Sequence, residues 1–132
     1  MLDHLSIAVN DFEQSMRFYD ETLAILGIER LMTFNEYSMA GYGEHGKPFF
    51  WIGVKGNADE YVGKARGLHI AFHARSQSFV DEWYKHAIKL GAVCNGTPSM
   101  HLEYHAHYYA AYVIDPNGWR LEAVNHGTHW DS

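Results

Sequence analysis

The chain has 132 residues, 47% hydrophobic and 15% aromatic, with a formal net charge of −6 at pH 7. That length suits one domain burying about two-thirds of its unfolded surface, and the negative charge speaks against a basic patch for nucleic acid or anionic lipid. The single Cys94 excludes an internal disulfide framework and favours a reducing, cytoplasmic setting.

The first residues carry charge at Asp3 and lack a long apolar run, so neither a signal peptide nor a membrane anchor is expected. Leu5, Ile7 and Val9 alternate with His4, Ser6 and Ala8, the period of a strand. Asn10 stands three residues before Glu13, the spacing of a capping box, and predicts a helix start. Phe12, Met16, Tyr19, Leu23 and Leu26 form its apolar stripe, and Gly27 ends it. From Leu31 to Val54 two or three strands are expected, broken at Gly41, Gly43 and Gly46-Lys47-Pro48, the last reading FFWIGV. A polar, glycine-punctuated linker follows over 57–66.

The pattern then repeats. Gly67 to His73 predicts a strand, Ser76 or Ser78 a cap, and Phe79, Trp83, Ala87 and Leu90 a second helical stripe stopped by Gly91. Tyr19, Leu23, Leu26 and Gly27 match Trp83, Ala87, Leu90 and Gly91 at a constant offset. Val93 to Asn125 supplies three more strands, the last two joined at Asp115-Pro116-Asn117-Gly118, where proline suits a type I turn. The expected architecture is α+β: one domain over 1–132 holding two strand–helix–three-strand modules, about 1–56 and 67–126. A repeat of about 65 residues is too long for a solenoid unit, so each sheet's second face needs the other copy, or another chain, to cover it.

Glu122 is the anomaly, a carboxylate in the middle of an apolar strand that is costly to bury unless a cation, a metal or donors meet it. His4 and His69 occupy the same place in the two copies, each facing away from the side that meets its helix. If the sheets curl towards each other, both histidines and Glu122 converge as two imidazoles and a carboxylate, a divalent-metal set with open positions. Surface hydrogen bonding of either histidine, or a salt bridge from Glu122 to Arg120 or another arginine, is the plainer alternative.

LDHLSIAVND, GLHIAFHARS and DPNGWRLEAV, the first two each followed by a helix, together resemble the vicinal oxygen chelate superfamily. That group includes glyoxalase I, fosfomycin-resistance thiol transferases, extradiol dioxygenases and bleomycin-binding proteins. The resemblance spans nearly the whole chain. It implies paired βαβββ modules forming a cup-shaped, barrel-like mixed sheet with helices outside, His4, His69 and Glu122 as metal ligands (Zn, Ni, Mn or Fe), a small-molecule substrate with or without a thiol co-substrate, and a homodimer. It implies lyase, isomerase or thiol-transferase chemistry. The rivals are metal-free sequestration of an aromatic or cationic molecule and iron(II) ring cleavage. Two departures stand out. FFWIGV lacks the proton-shuttling glutamate of glyoxalase I, and MHLEYHAHYY replaces the serine-rich, potassium-holding loop of the fosfomycin enzymes.

His101, His105 and His107 crowd with Tyr104, Tyr108, Tyr109 and Tyr112 before the closing hairpin. His105 or His107 is the expected proton carrier and Tyr112 an oxyanion partner, against the alternative of a polar loop whose aromatics cap the mouth. Phe49 and Trp51 are expected in the core or lining a pocket, and Cys94 as a small buried hydrophobe.

Overall fold

The computed structural model describes residues 1–54 and 67–127; the predicted linker 57–66 lies outside them. The chain divides into two compact units, Met1–Val62 and Gly63–Ser132, each a βαβββ module.

In module one, β1 (Leu5–Ala8) leads into α1 (Phe12–Ile25), followed by β2 (Glu29–Phe34), β3 (Met39–Glu44) and β4 (Lys47–Gly53). The strand order is β1-β4-β3-β2, with β1 parallel to β4 and the other pairs antiparallel. The helix cap is Asp11, whose carboxylate accepts from Gln14 N–H at 3.1 Å, and not the predicted Asn10. The capping-box spacing survives one residue on, as Asp11 to Gln14, because asparagine and aspartate are comparably good caps and sequence alone does not rank neighbours. Tyr19 and Leu23 are fully buried, and the Tyr19 ring packs 5.1 Å from Phe50 and 6.2 Å from Tyr42, seating α1 on β4 and β3.

Gly41 and Gly43 do not break strands as expected; both lie inside β3. The break between β2 and β3 is a single 3-10 turn at Asn35–Tyr37, closed by Ser38 in a left-handed conformation (φ 50°). Gly43 serves close approach instead: a Cβ there would lie 1.9 Å from the Lys47 carbonyl oxygen, at a bulge in the β3–β4 ladder.

Module two repeats the plan. β5 (Ile70–His73) precedes α2 (Gln77–Lys89), then β6 (Val93–Met100), β7 (Tyr109–Ile114) and β8 (Arg120–Asn125), in the order β5-β8-β7-β6. Ser76 is the cap of α2, and Val80, Trp83 and Ala87 are its fully buried residues. The predicted turn forms: Gly118 N–H donates to the Asp115 carbonyl at 2.9 Å, while the Asp115 carboxylate accepts from Asn117 and Trp119 N–H. Cys94, expected inside, is exposed, because β6 is the outermost strand and shows most of its length to solvent.

Candidate active site

The hairpin built on Asp115–Gly118 fixes the register that makes the site. Tyr112 on β7 sits directly opposite Glu122 on β8, and on the other side of β8 Glu122 pairs with Ala71 of β5. Cross-strand partners share a face, so the tyrosine and the carboxylate come together. His69, one residue ahead of β5, reaches the same place: its Nε2 lies 3.0 Å from Glu122 Oε1. The other carboxylate oxygen, Oε2, accepts a short hydrogen bond from the Tyr108 hydroxyl. Glu122 is therefore a 1% exposed carboxylate with both oxygens occupied, and its partners are an imidazole and a phenol.

A cavity of about 410 Å³ opens over this pair, lined by His69, Tyr104, His105, Tyr108, Tyr112 and Glu122. Its walls are aromatic. His101 stands edge-on to Tyr108 and Tyr112 and stacks on Tyr104. Burial, then the bond to Glu122, raises the Tyr108 hydroxyl well above the ordinary tyrosine range. Burial and the Glu122 charge push Tyr112 up to about 12. Both hydroxyls thus keep their protons at neutral pH, and the one proton of Tyr108 is donated to Glu122.

Of the residues expected at a site, the structure gathers His69, Glu122, His105 and Tyr112. His107 lies outside the cavity lining; its backbone N–H donates to His105 Nδ1 at 3.1 Å, and a Cβ built on Gly127 would come within 2.9 Å of its side chain. His4 belongs to module one, where its Nδ1 lies 2.7 Å from Asp3 Oδ1 and its side chain is half exposed. Tyr109 turns to α2 and donates to Asp81 at 2.6 Å. Sequence reasoning missed the pairing of Tyr108 with Glu122 and that of His105 with His126, whose Nδ1 lies 2.9 Å from His105 Nε2. The turn position, which sets Tyr112 across from Glu122 and carries the ladder on towards Tyr108 and His126, was the available signal.

Module one has a smaller cavity of about 200 Å³, lined by Ser6, Ile7, Ala8, Met39, Trp51, Ile52 and Gly53. Trp51 holds the register position that Glu122 holds in module two, paired with Ser6 on one side and Gly41 on the other. Its indole lies across Gly41, where a Cβ would meet the ring at 2.8 Å, and stacks with Phe34 at 6.3 Å.

For a divalent metal, His69 Nε2 and Glu122 Oε1 are a suitable nitrogen and oxygen donor pair, close enough to share one cation. Among the described residues, no group of three or more His, Cys, Asp or Glu is arranged to hold an ion.

A paired βαβββ fold with a carboxylate and an imidazole on one sheet defines the class. The chain belongs to the glyoxalase/bleomycin resistance protein/dioxygenase superfamily, whose family model matches residues 1–123. It is similar to the crystal structure of a glyoxalase/bleomycin resistance protein from Albidiferax ferrireducens, at 27% identity and TM-score 0.81, covering 93% of this chain and 97% of that one. A glyoxalase-like protein from Bacillus halodurans is 28% identical with TM-score 0.70, covering 95% of each chain. The fold is shared with a fosfomycin resistance protein from Listeria monocytogenes at 18% identity and TM-score 0.68, covering 95% of this chain and 92% of that one. Small-molecule binding is typical of the family, and metal dependence is frequent in it. Among the described residues, no helix is long and apolar enough to cross a membrane.

Proposed function

We propose that this chain is a metal-dependent enzyme acting on a small substrate that offers neighbouring oxygens. His69 and Glu122 would hold the ion, and His4, the repeat counterpart of His69, is the third ligand on the sequence argument. The observation that carries the proposal is Glu122 itself: a buried carboxylate on an apolar strand, one oxygen 3.0 Å from an imidazole nitrogen, at the foot of a cavity. Such a group is costly to bury for packing alone. A bound divalent ion (Zn, Ni, Mn or Fe) supplies Lewis-acid polarisation of a substrate oxygen.

The chain's own residues do the rest. Tyr108 fixes the rotamer of Glu122 by holding Oε2, which leaves Oε1 directed towards His69. Tyr112 is the donor for a substrate oxygen, and Tyr104, His105 and Tyr108 wall the cavity against water. The proton-shuttling position of glyoxalase I has no counterpart in FFWIGV, and the residue at the register position equivalent to Glu122 there is Trp51. That favours addition of a nucleophile such as a thiol, or attack by oxygen, over shuttling of a carbon-bound proton. A homodimer in the cytoplasm completes the reading. A second reading has its own observation: three tyrosine rings and two imidazoles around one carboxylate also suit metal-free capture of an aromatic or cationic molecule.

Metal analysis of the purified protein, with thermal unfolding on adding Zn²⁺, Ni²⁺, Mn²⁺ or Fe²⁺, separates the two. Bound metal or a rise in Tm supports the enzyme; neither, together with binding of an aromatic cation, supports the sequestering protein. Oxygen uptake with a catechol panel tests ring cleavage.

A further inference from the structure

The loop over residues 101–108 carries Tyr104, His105 and Tyr108, three of the six residues around the larger cavity. Its backbone closes on itself. His101 N–H donates to the Tyr108 carbonyl at 2.7 Å, Tyr104 N–H to the His101 carbonyl at 3.1 Å, and Tyr108 N–H to the His105 carbonyl at 3.3 Å. Another backbone amide of the loop meets a side chain: His107 N–H donates to His105 Nδ1 at 3.1 Å. A backbone N–H can only donate, so Nδ1 bears the lone pair and the proton of the neutral ring sits on Nε2. That Nε2 lies 2.9 Å from His126 Nδ1 and donates to it. His126 Nδ1 is then an acceptor, and its own ring proton sits on Nε2. The bonding pattern leaves each ring one tautomer.

The segment holding His126 is anchored independently. Asn125 donates from Nδ2 to the Ala74 carbonyl at 2.9 Å, and its Oδ1 accepts from Gly127 N–H at 2.9 Å. The His105 and His126 rings lie 5.2 Å apart, 25° from parallel, and Tyr108 stands edge-on to both. His73 stacks behind His126 at 6.5 Å.

A general base needs a lone pair directed at its substrate. The one lone pair of neutral His105 is spent on the backbone. We infer that His105 is a positioning residue and not the proton carrier, and that His126, by accepting from its Nε2, reinforces the tautomer the His107 amide selects and so helps fix the loop that walls the cavity. This rests on reading that cavity as the ligand site. The groups facing the pair are His73, Tyr108 and His107, with Glu122, His69 and Tyr112 around the same cavity.

Nitrogen-15 NMR of the full chain at neutral pH reads the tautomers directly. Protons on Nε2 of both His105 and His126, with bare Nδ1, are expected; a proton on His105 Nδ1, or fast exchange between forms, overturns the inference. His126→Ala should let His105 mix tautomers and make the His107 amide exchange about two- to tenfold faster, the worth of one neutral hydrogen bond. His126→Asn, which presents an amide oxygen near the lost acceptor, should restore both. An alanine variant with His105 and the His107 amide unchanged, or a folded asparagine variant that restores neither, sinks it. None of these readouts uses metal, so they fail or succeed separately from metal binding at His69 and Glu122.

Discussion

The two modules share a frame and differ in what they set upon it. In each, the first strand runs parallel to the last, and equivalent register places Leu5 and Ile70 opposite Phe50 and Leu121. One residue on, module one pairs Ser6 with Trp51 while module two pairs Ala71 with Glu122; on the next strand, Gly41 stands where module two has Tyr112. The residues facing the helix are interchangeable hydrophobes. The opposite face is where the copies part, into an indole lying on a glycine and a carboxylate held by a phenol and an imidazole. The frame is thus set by one side of each sheet, and chemistry is free to diverge on the other.

The largest effects should be common to both modules, because they strike the shared frame. Tyr19→Ala and Trp83→Ala remove equivalent, fully buried helix anchors; each should cost about 3–5 kcal/mol in chemical denaturation, the range for deleting a buried aromatic. A cost confined to one module would show that the copies do not carry equal weight. Next come the glycines that make room for the two contrasting groups. A Cβ at Gly41 would sit 2.8 Å from the Trp51 ring, and one at Gly96 would sit 2.8 Å from Tyr112. Gly41→Ala and Gly96→Ala should each destabilise by about 1–3 kcal/mol through overpacking. Only Gly96→Ala should also weaken ligand or metal binding, since it alone displaces a wall of the larger cavity.

Alkaline pH should reach module two's hydroxyls around Glu122, alongside Tyr42, raised by burial and Asp20, and Tyr109, raised by burial and Asp81. The Tyr112 value lies at about 12 in the folded chain against 10.0 for the ordinary group. A raised folded value stabilises fully below the unfolded one, so this contribution is intact below pH 10 and lost as pH rises through about 12. In ultraviolet titration, Glu122→Gln should bring tyrosinate absorbance in at lower pH, and an unchanged curve would contradict the coupling. The smallest effects are the caps: Asp11→Ala and Ser76→Ala should each cost about 1 kcal/mol, measured as equal shifts in the denaturation midpoint.

The modules, both helices and the closing turn were legible because each leaves a local mark: a 3.6-residue stripe, a glycine after the helix, Asp-Pro-Asn-Gly. The cap shifted from Asn10 to Asp11 because two adjacent residues could do the same job. Gly41 and Gly43 misled because glycine marks close approach as well as breaks, and only the neighbouring Trp51 ring and Lys47 carbonyl distinguish the two. Glu122 stood out in sequence as a charge among apolar neighbours, and the repeat pointed to His69. The occupancy of His105 was not legible, since it depends on where one backbone amide and one distant imidazole come to lie.

The central claim is that module two's carboxylate and imidazole form the working pair while module one's indole replaces such a pair. Anomalous diffraction from crystals grown with Zn²⁺ or Mn²⁺ tests it most directly. A peak about 2.0–2.2 Å from both His69 Nε2 and Glu122 Oε1, absent in Glu122→Gln and retained in Trp51→Phe, is the predicted result. Metal bound elsewhere, with His69 and Glu122 still hydrogen-bonded to each other, would contradict it.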